Sequence, residues 1–175
     1  MSYFVVDVEA DNQSPAIGSM VCFGVVKVGD PTKTFYGKTK PITGQWNPDA
    51  LAVSGFSRED HESFDDPAKV MADFAIWLEE NNDNGKPTFI SDNVAFDWQW
   101  INFYFWKFVG KNPFGFSGRR IGDLYCGLMK DAGKNAEWKK LYRKTKHTHN
   151  PVDDSMGNAE ALLAFRDKLG LKILF

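Results

Sequence analysis

The chain has 175 residues, 43% hydrophobic and 25% charged, and its 21 Lys and Arg stand against 23 Asp and Glu for a net charge of −2. That length and balance suit one domain, residues 1–175, with a sizeable core, and exclude a disordered chain. They also argue against sequence-independent grip on a long duplex, which needs a strongly basic domain. Cys22 and Cys126 are the only cysteines, so there is no disulfide framework and no paired-cysteine zinc motif. The first residues lack a basic leader, and no apolar run nears the length of a membrane span. The expectation is a cytoplasmic protein without membrane contact.

The Phe- and Val-rich residues 3–9 predict a strand, and residues 20–28 predict a second, mostly buried one. A polar loop containing Asp11 and Pro15 separates them. The turn signal at Gly29, Asp30 and Pro31 leads to a third strand over 33–38, which makes 20–38 a hairpin. Asp66 and Pro67 start a helix as N-cap and first residue, and Val70, Phe74 and Leu78 keep its spacing up to the Asn-rich stop at 81–85. A short strand follows over 87–91. Phe96 to Val109 predicts an aromatic helix, and its rings on every face predict burial against a sheet. Two more helices are expected near 122–132 and 136–144, then a basic loop over 144–150. A last helix is expected over 154–169, with an apolar tail from Leu171 to Phe175. No repeat or linker interrupts this order, which predicts a mixed sheet with helices on its faces.

Five residues carry chemical interest. Asp7 and Glu9 are two apart in a strand and so share a face. Two carboxylates ending an apolar strand repel each other and resist burial, a cost that a divalent cation would relieve. Asp97 falls where strand gives way to helix and gains from the helix N-terminus. His149 precedes the last helix, which Asp153 and Asp154 enter together. Adjacent helical residues differ by about 100° in direction, so only one of the two can face a site fully. His61, His147 and His149 are the only histidines, and so the only side chains with an ordinary pKa near neutrality. Taken singly, each feature reads as a strand end, a helix cap or a surface loop.

Taken together, they resemble the three motifs of the DEDDh exonuclease family, whose members include RNase T, oligoribonuclease and polymerase proofreading subunits. Asp7-x-Glu9 closes the first strand, Asn93-x-x-Phe96-Asp97 follows mid-chain, and His149 stands five residues before Asp154. The stretch from Met20 to Val26, the stretch from Pro48 to Ser57, and Asp123-Leu124 are similar to the family's second strand and to segments flanking its second motif. Ala10 and Cys22 depart from it, since many relatives carry Thr and Glu there. So does Ser91-Asp92, where many have Ala-His.

The resemblance implies an α/β, RNase H-like fold with a mixed five-stranded sheet flanked by helices. It implies a 3′–5′ exonuclease that releases nucleoside 5′-monophosphates from the 3′ end of single-stranded RNA or DNA, with RNA slightly favoured for a compact free-standing chain. Asp7, Glu9, Asp97 and Asp154 would hold two Mg²⁺ or Mn²⁺ ions, roughly 3.5–4 Å apart in such sites. Asp7 would bridge them, and the family spacing selects Asp154 over Asp153. His149 would be the general base, its ordinary pKa of about 6.5 suiting that work. Asp11, Asp92 and Asp123 read as loop or cap residues. Trp46 and Phe56 fall where relatives contact the substrate strand, with packing as the competing role. The basic stretch 139–146 would meet phosphate upstream of the scissile bond, or else form a solvated helix face. Homodimers occur among RNA-trimming relatives and are allowed for here. The competing readings are a single-stranded DNA exonuclease with the same site, a non-catalytic nucleic-acid-binding module, and an endonuclease of RNase H-like role.

Overall fold

The computed structural model describes residues 2–173, and its framework is a five-stranded sheet in the order β3-β2-β1-β4-β5. The strands are β1 (Tyr3–Ala10), β2 (Met20–Lys27), β3 (Thr34–Lys38), β4 (Thr88–Ser91) and β5 (Gly118–Arg120). The β1–β2 and β2–β3 pairs are antiparallel, while β1–β4 and β4–β5 are parallel. The helices are α1 (Pro48–Val53), α2 (Arg58–Ser63), α3 (Pro67–Asn81), α4 (Val94–Phe108), α5 (Ile121–Met129), α6 (Trp138–Tyr142) and α7 (Pro151–Leu169).

Period-2 alternation sorts β1 between two cores. Phe4, Val6 and Val8 join Phe23 and Val25 beneath α3 and α4, with Phe74, Trp100, Ile101 and Phe105. Val5 joins Val26 and Ile90 on the opposite face, beneath Tyr125, Trp138, Leu162 and Phe165. Asp7 and Glu9 continue the Val5 row, so the alternation that buries the strand also delivers both carboxylates to the face that α7 covers.

Two local features shape the end of that face. The β1–β4 pairing stops at Val5 and Ile90. Strand β4 ends one residue later, and beyond it Asp97, in the first turn of α4, reaches β1 at the Val8 amide. On β2, Gly24 lies opposite Asp7. A Cβ there would overlap the Pro151 carbonyl and the Val152 nitrogen, so the glycine is what lets α7 rest on the strand. Ser155 Oγ then donates to the Gly24 carbonyl over 3.0 Å.

Most expected elements form, with differences that have physical causes. The last helix starts at Pro151, because Asn150 is its N-cap and accepts from the Val152 amide. The aromatic helix starts at Val94 and is not sheathed on all sides, since Trp106 is half exposed. The helices α1 and α2 and the strand β5 are additional to the elements expected in chain order. Ile173 of the apolar tail is buried in the second core, while Leu174 and Phe175 lie outside the described residues. Among the described residues, no helix is long and apolar enough to cross a membrane.

Candidate active site

Three elements converge at the C-terminal end of β1. One carboxylate oxygen from each of Asp7, Glu9 and Asp154 lies within 4.8 Å of the others. Asp97, only 3% exposed, approaches from α4. Its Oδ1 accepts from the Val8 amide at 3.2 Å, just past the last β4 pairing, and its Oδ2 is buried with no hydrogen bond. Asn93, not Asp97, is the N-cap of α4.

Asp154 is 1% exposed and anchors the loop before α7. Its Oδ1 accepts from Arg143 Nη2 at 3.0 Å and from the Thr148 amide at 3.2 Å, and His147 Nδ1 lies 2.8 Å away. Its Oδ2 accepts from the His149 amide at 3.0 Å. The loop thus wraps its backbone around one carboxylate. His149 takes a left-handed backbone with φ of 60°, a conformation that a side chain adopts at a cost. This turns its half-exposed ring toward Glu9, with Nδ1 3.4 Å from Oε1. Asp153 takes the other direction and accepts from Thr148 Oγ1.

The loop is tied down further along α7. The Glu160 carboxylate accepts from the amides of Lys144 and Thr145 at 2.7 and 2.8 Å. Arg143 crosses the helix at Gly157, where a Cβ would meet its guanidinium. Beside this loop lies a cleft of about 410 Å³ whose lining includes Lys139, Lys140, Arg143, Lys144 and Lys146, with Asp92 paired to Lys139.

The electrostatics of the cluster are unfavourable to charge. Burial raises Asp7 well above the usual carboxylate range, and repulsion from Asp97, Glu9 and Asp154 adds to it. Burial, then Asp154, pushes Glu9 up to about 7, and burial pushes Asp97 up to about 8. An all-oxygen donor set, mutual repulsion and an unsatisfied Asp97 oxygen together fit a hard divalent cation.

No profile of a described protein family matches the chain. The curated 3′–5′ DNA exonuclease Cap18 of Escherichia coli is 32% identical over 173 residues, covering 95% of this chain and 92% of that protein. The chain belongs to the DEDDh-type 3′–5′ exonucleases. Solved structures agree on the fold. The nuclease domain of 3′hExo, a DEDDh family member bound to rAMP, superposes with a TM-score of 0.74 at 17% identity, over 99% of this chain and 96% of that one. The ssDNA complex of Escherichia coli ExoI gives 0.71 at 16% identity, over 97% of this chain and 42% of that larger one. The expected RNase H-like fold with a mixed five-stranded sheet is therefore present.

In this exonuclease Asp7, Glu9, Asp97, His149 and Asp154 meet at one place. Asp11, Asp92 and Asp123 are not members of the three-carboxylate group, although Asp92, paired with Lys139, is near enough to repel Asp7 and Asp97. Asp11 is more than a loop residue: it is fully buried, pairs with Arg58 and accepts from the Ser19 amide. Asp123 pairs with Arg120 at the start of α5. Trp46 is partly exposed with the Arg58 guanidinium 5.3 Å from its ring, whereas Phe56 packs against Phe64. Sequence reasoning took Arg143 only as part of the basic stretch, not as a partner of Asp154, and missed Glu160 and Gly24. Only Gly24 carried a signal, as a lone glycine inside a buried apolar strand.

The raised pKa values set a pH dependence with a definite sign. The folded, metal-free protein holds protons that the unfolded chain releases, so this contribution to stability is present below about pH 4 and is lost as pH rises through about 7 to 8. A divalent cation replaces those protons. The metal-induced rise in Tm is therefore expected to grow from pH 5.5 to pH 8. Asp7→Asn should raise the metal-free Tm at pH 8 by a few degrees, on the order of 1 kcal/mol, and should lose most of the metal response. Differential scanning fluorimetry with Mn²⁺ and with chelator checks both. A metal response independent of pH would show that protons and metal do not compete here.

Proposed function

We propose that the protein hydrolyses single-stranded nucleic acid from its 3′ end, one nucleoside 5′-monophosphate at a time, with Asp7, Glu9, Asp97 and Asp154 as the metal ligands and His149 as general base. The observation that carries this is the convergence at the end of β1 of four carboxylates with the half-exposed His149 imidazole, which lies against Glu9. Two Mg²⁺ or Mn²⁺ ions held there would neutralise the phosphoryl oxygens and ease deprotonation of water. Asp7, which both Asp97 and Glu9 repel, would serve both ions. Glu9 and Asp154 hold the side facing His149, whose ring takes the proton of the attacking water. Asp97, fixed by the Val8 amide, holds the far side. The lysines of the neighbouring cleft supply positive charge for backbone phosphates. The whole chain acts as one exonuclease domain, and the two free cysteines suit a cytoplasmic setting. A homodimer is compatible with this reading.

The 32% identity to a protein named as a DNA exonuclease supports DNA as the substrate. RNA is the second reading, favoured by the likeness to the rAMP-bound 3′hExo domain. The test uses end-labelled DNA and RNA of one sequence, with Mg²⁺ or chelator, and wild type against Asp7→Asn. Mononucleotides should accumulate from the 3′ end only with metal and only with wild type, faster on DNA. Cutting inside a circular single strand would overturn the exonuclease reading, and faster RNA decay would reverse the sugar preference.

A further inference from the structure

Two histidines, not one, flank the last carboxylate. The His147 and His149 rings stand edge to face with centroids 4.4 Å apart. One ligand atom from each, with one Asp154 oxygen, lies within 4.8 Å of the others. The Thr148 and His149 amides both bind Asp154, so the backbone that carries the two rings is clamped to the third donor. The side chains of His147 and His149 are 55% and 49% exposed, and each already turns a ring nitrogen toward a carboxylate, His147 to Asp154 and His149 to Glu9, while Asp154 is a buried anchor.

This donor set differs in kind from that of the carboxylate cluster. Asp7, Glu9 and Asp154 offer only oxygen, which suits hard cations. Two imidazole nitrogens and one carboxylate suit a borderline ion such as Zn²⁺, which takes such ligands at about 2.0–2.2 Å and leaves a position for water. Tetrahedral geometry would separate those ligand atoms by a little over 3 Å, which rotation of the two exposed rings can reach.

We propose that His147, His149 and Asp154 form a second, inhibitory metal site for Zn²⁺-class ions. An ion bound there engages His149, so the ring no longer accepts the water's proton, and it draws on Asp154, which the carboxylate cluster shares. Arg143 on the same Asp154 oxygen limits the affinity, which suits a reversible brake better than a permanent structural ion. The inhibitory half rests on the roles proposed above for His149 and Asp154, but the binding itself does not. His147 is neither a ligand nor the base in the hydrolytic reading above, which makes it the residue that separates the two sites.

The test is calorimetric titration with Zn²⁺ in saturating Mg²⁺, on wild type, His147→Gln and Asp7→Asn. One equivalent should bind to wild type and to Asp7→Asn alike, and His147→Gln should weaken it by at least about tenfold. His147 also contacts Asp154, so inhibition is read for each variant against its own Zn²⁺-free rate, and the Zn²⁺ concentration that halves the activity of His147→Gln should rise by the same factor. Equal Zn²⁺ affinity in wild type and His147→Gln would overturn the site, as would loss of binding in Asp7→Asn, which would place the ion among the carboxylates. If His149→Ala lost Zn²⁺ binding yet kept hydrolysis, the metal site would stand and the general-base role would fall.

Discussion

Asp154→Asn is expected to abolish turnover while Asp153→Asn leaves it within a few fold of wild type. The two residues are adjacent and chemically identical, so composition cannot separate them. Burial and contacts do. Asp154 is almost fully buried, shares a cluster with Asp7 and Glu9, and holds Arg143 and the Thr148 and His149 amides. Asp153 accepts one hydroxyl, a bond that asparagine can also make. Losing an outer partner of a metal ligand costs about 10–100-fold in affinity or activity. Losing the proposed ligand itself, together with the clamp that aims His149, should cost more. The measurement is kcat with Mn²⁺ and Mg²⁺, beside Tm and Mn²⁺ affinity. Asp154→Asn should remain folded but bind metal weakly, because the amide keeps the shape of the carboxylate while its single oxygen can serve only one side of the clamp. An active Asp154→Asn with an inactive Asp153→Asn would show that the wrong face of α7 has been assigned to the site.

How far the site could be read beforehand depends on the distance over which each signal acts. The shared face of Asp7 and Glu9 follows from strand periodicity alone, and α3 follows from Asp66, Pro67 and the Val70, Phe74, Leu78 stripe. These are local rules, and the structure obeys them. The helices α1 and α2 did carry caps, Asn47 before Pro48 and a capping box between Ser57 and Asp60. Each is six residues long and buries a single side chain, Leu51 or His61, so neither shows a period to detect. The strand β5 consists of Gly118, Arg119 and Arg120, which have no apolar pattern and become a strand only by pairing with β4. The buried Asp11 cluster is likewise nonlocal. Asp11 meets Arg58 and lies 3.7 Å from His61, whose own burial holds it down at about 4, and both partners sit on α2, 47 residues or more along the chain from Asp11. Arg143 and Glu160 act by docking one loop on one helix, a relation that no spacing in the sequence encodes.

Gly24→Ala should impair both stability and catalysis, although Gly24 touches no substrate. Its missing side chain is the space in which the backbone of Pro151 and Val152 rests. A flexible side chain could yield to one added carbon, but a helix backbone cannot rotate aside. Either β2 buckles or the first turn of α7 lifts, and that turn carries Asp154. Overpacking of this kind costs about 1–3 kcal/mol or more. At roughly 2–4 °C per kcal/mol for a chain of this size, Tm should fall by about 5–10 °C. The fall in kcat should exceed what partial unfolding explains at an assay temperature well below the new Tm, because the displaced carboxylate is a proposed metal ligand. Gly127→Ala is the matched control. It adds the same carbon on α5, where a Cβ meets open space, and should leave activity unchanged and Tm level or slightly higher. Wild-type kcat in Gly24→Ala would mean that α7 reaches the sheet with room to spare, and that Asp154 is placed by the Arg143 and loop contacts alone.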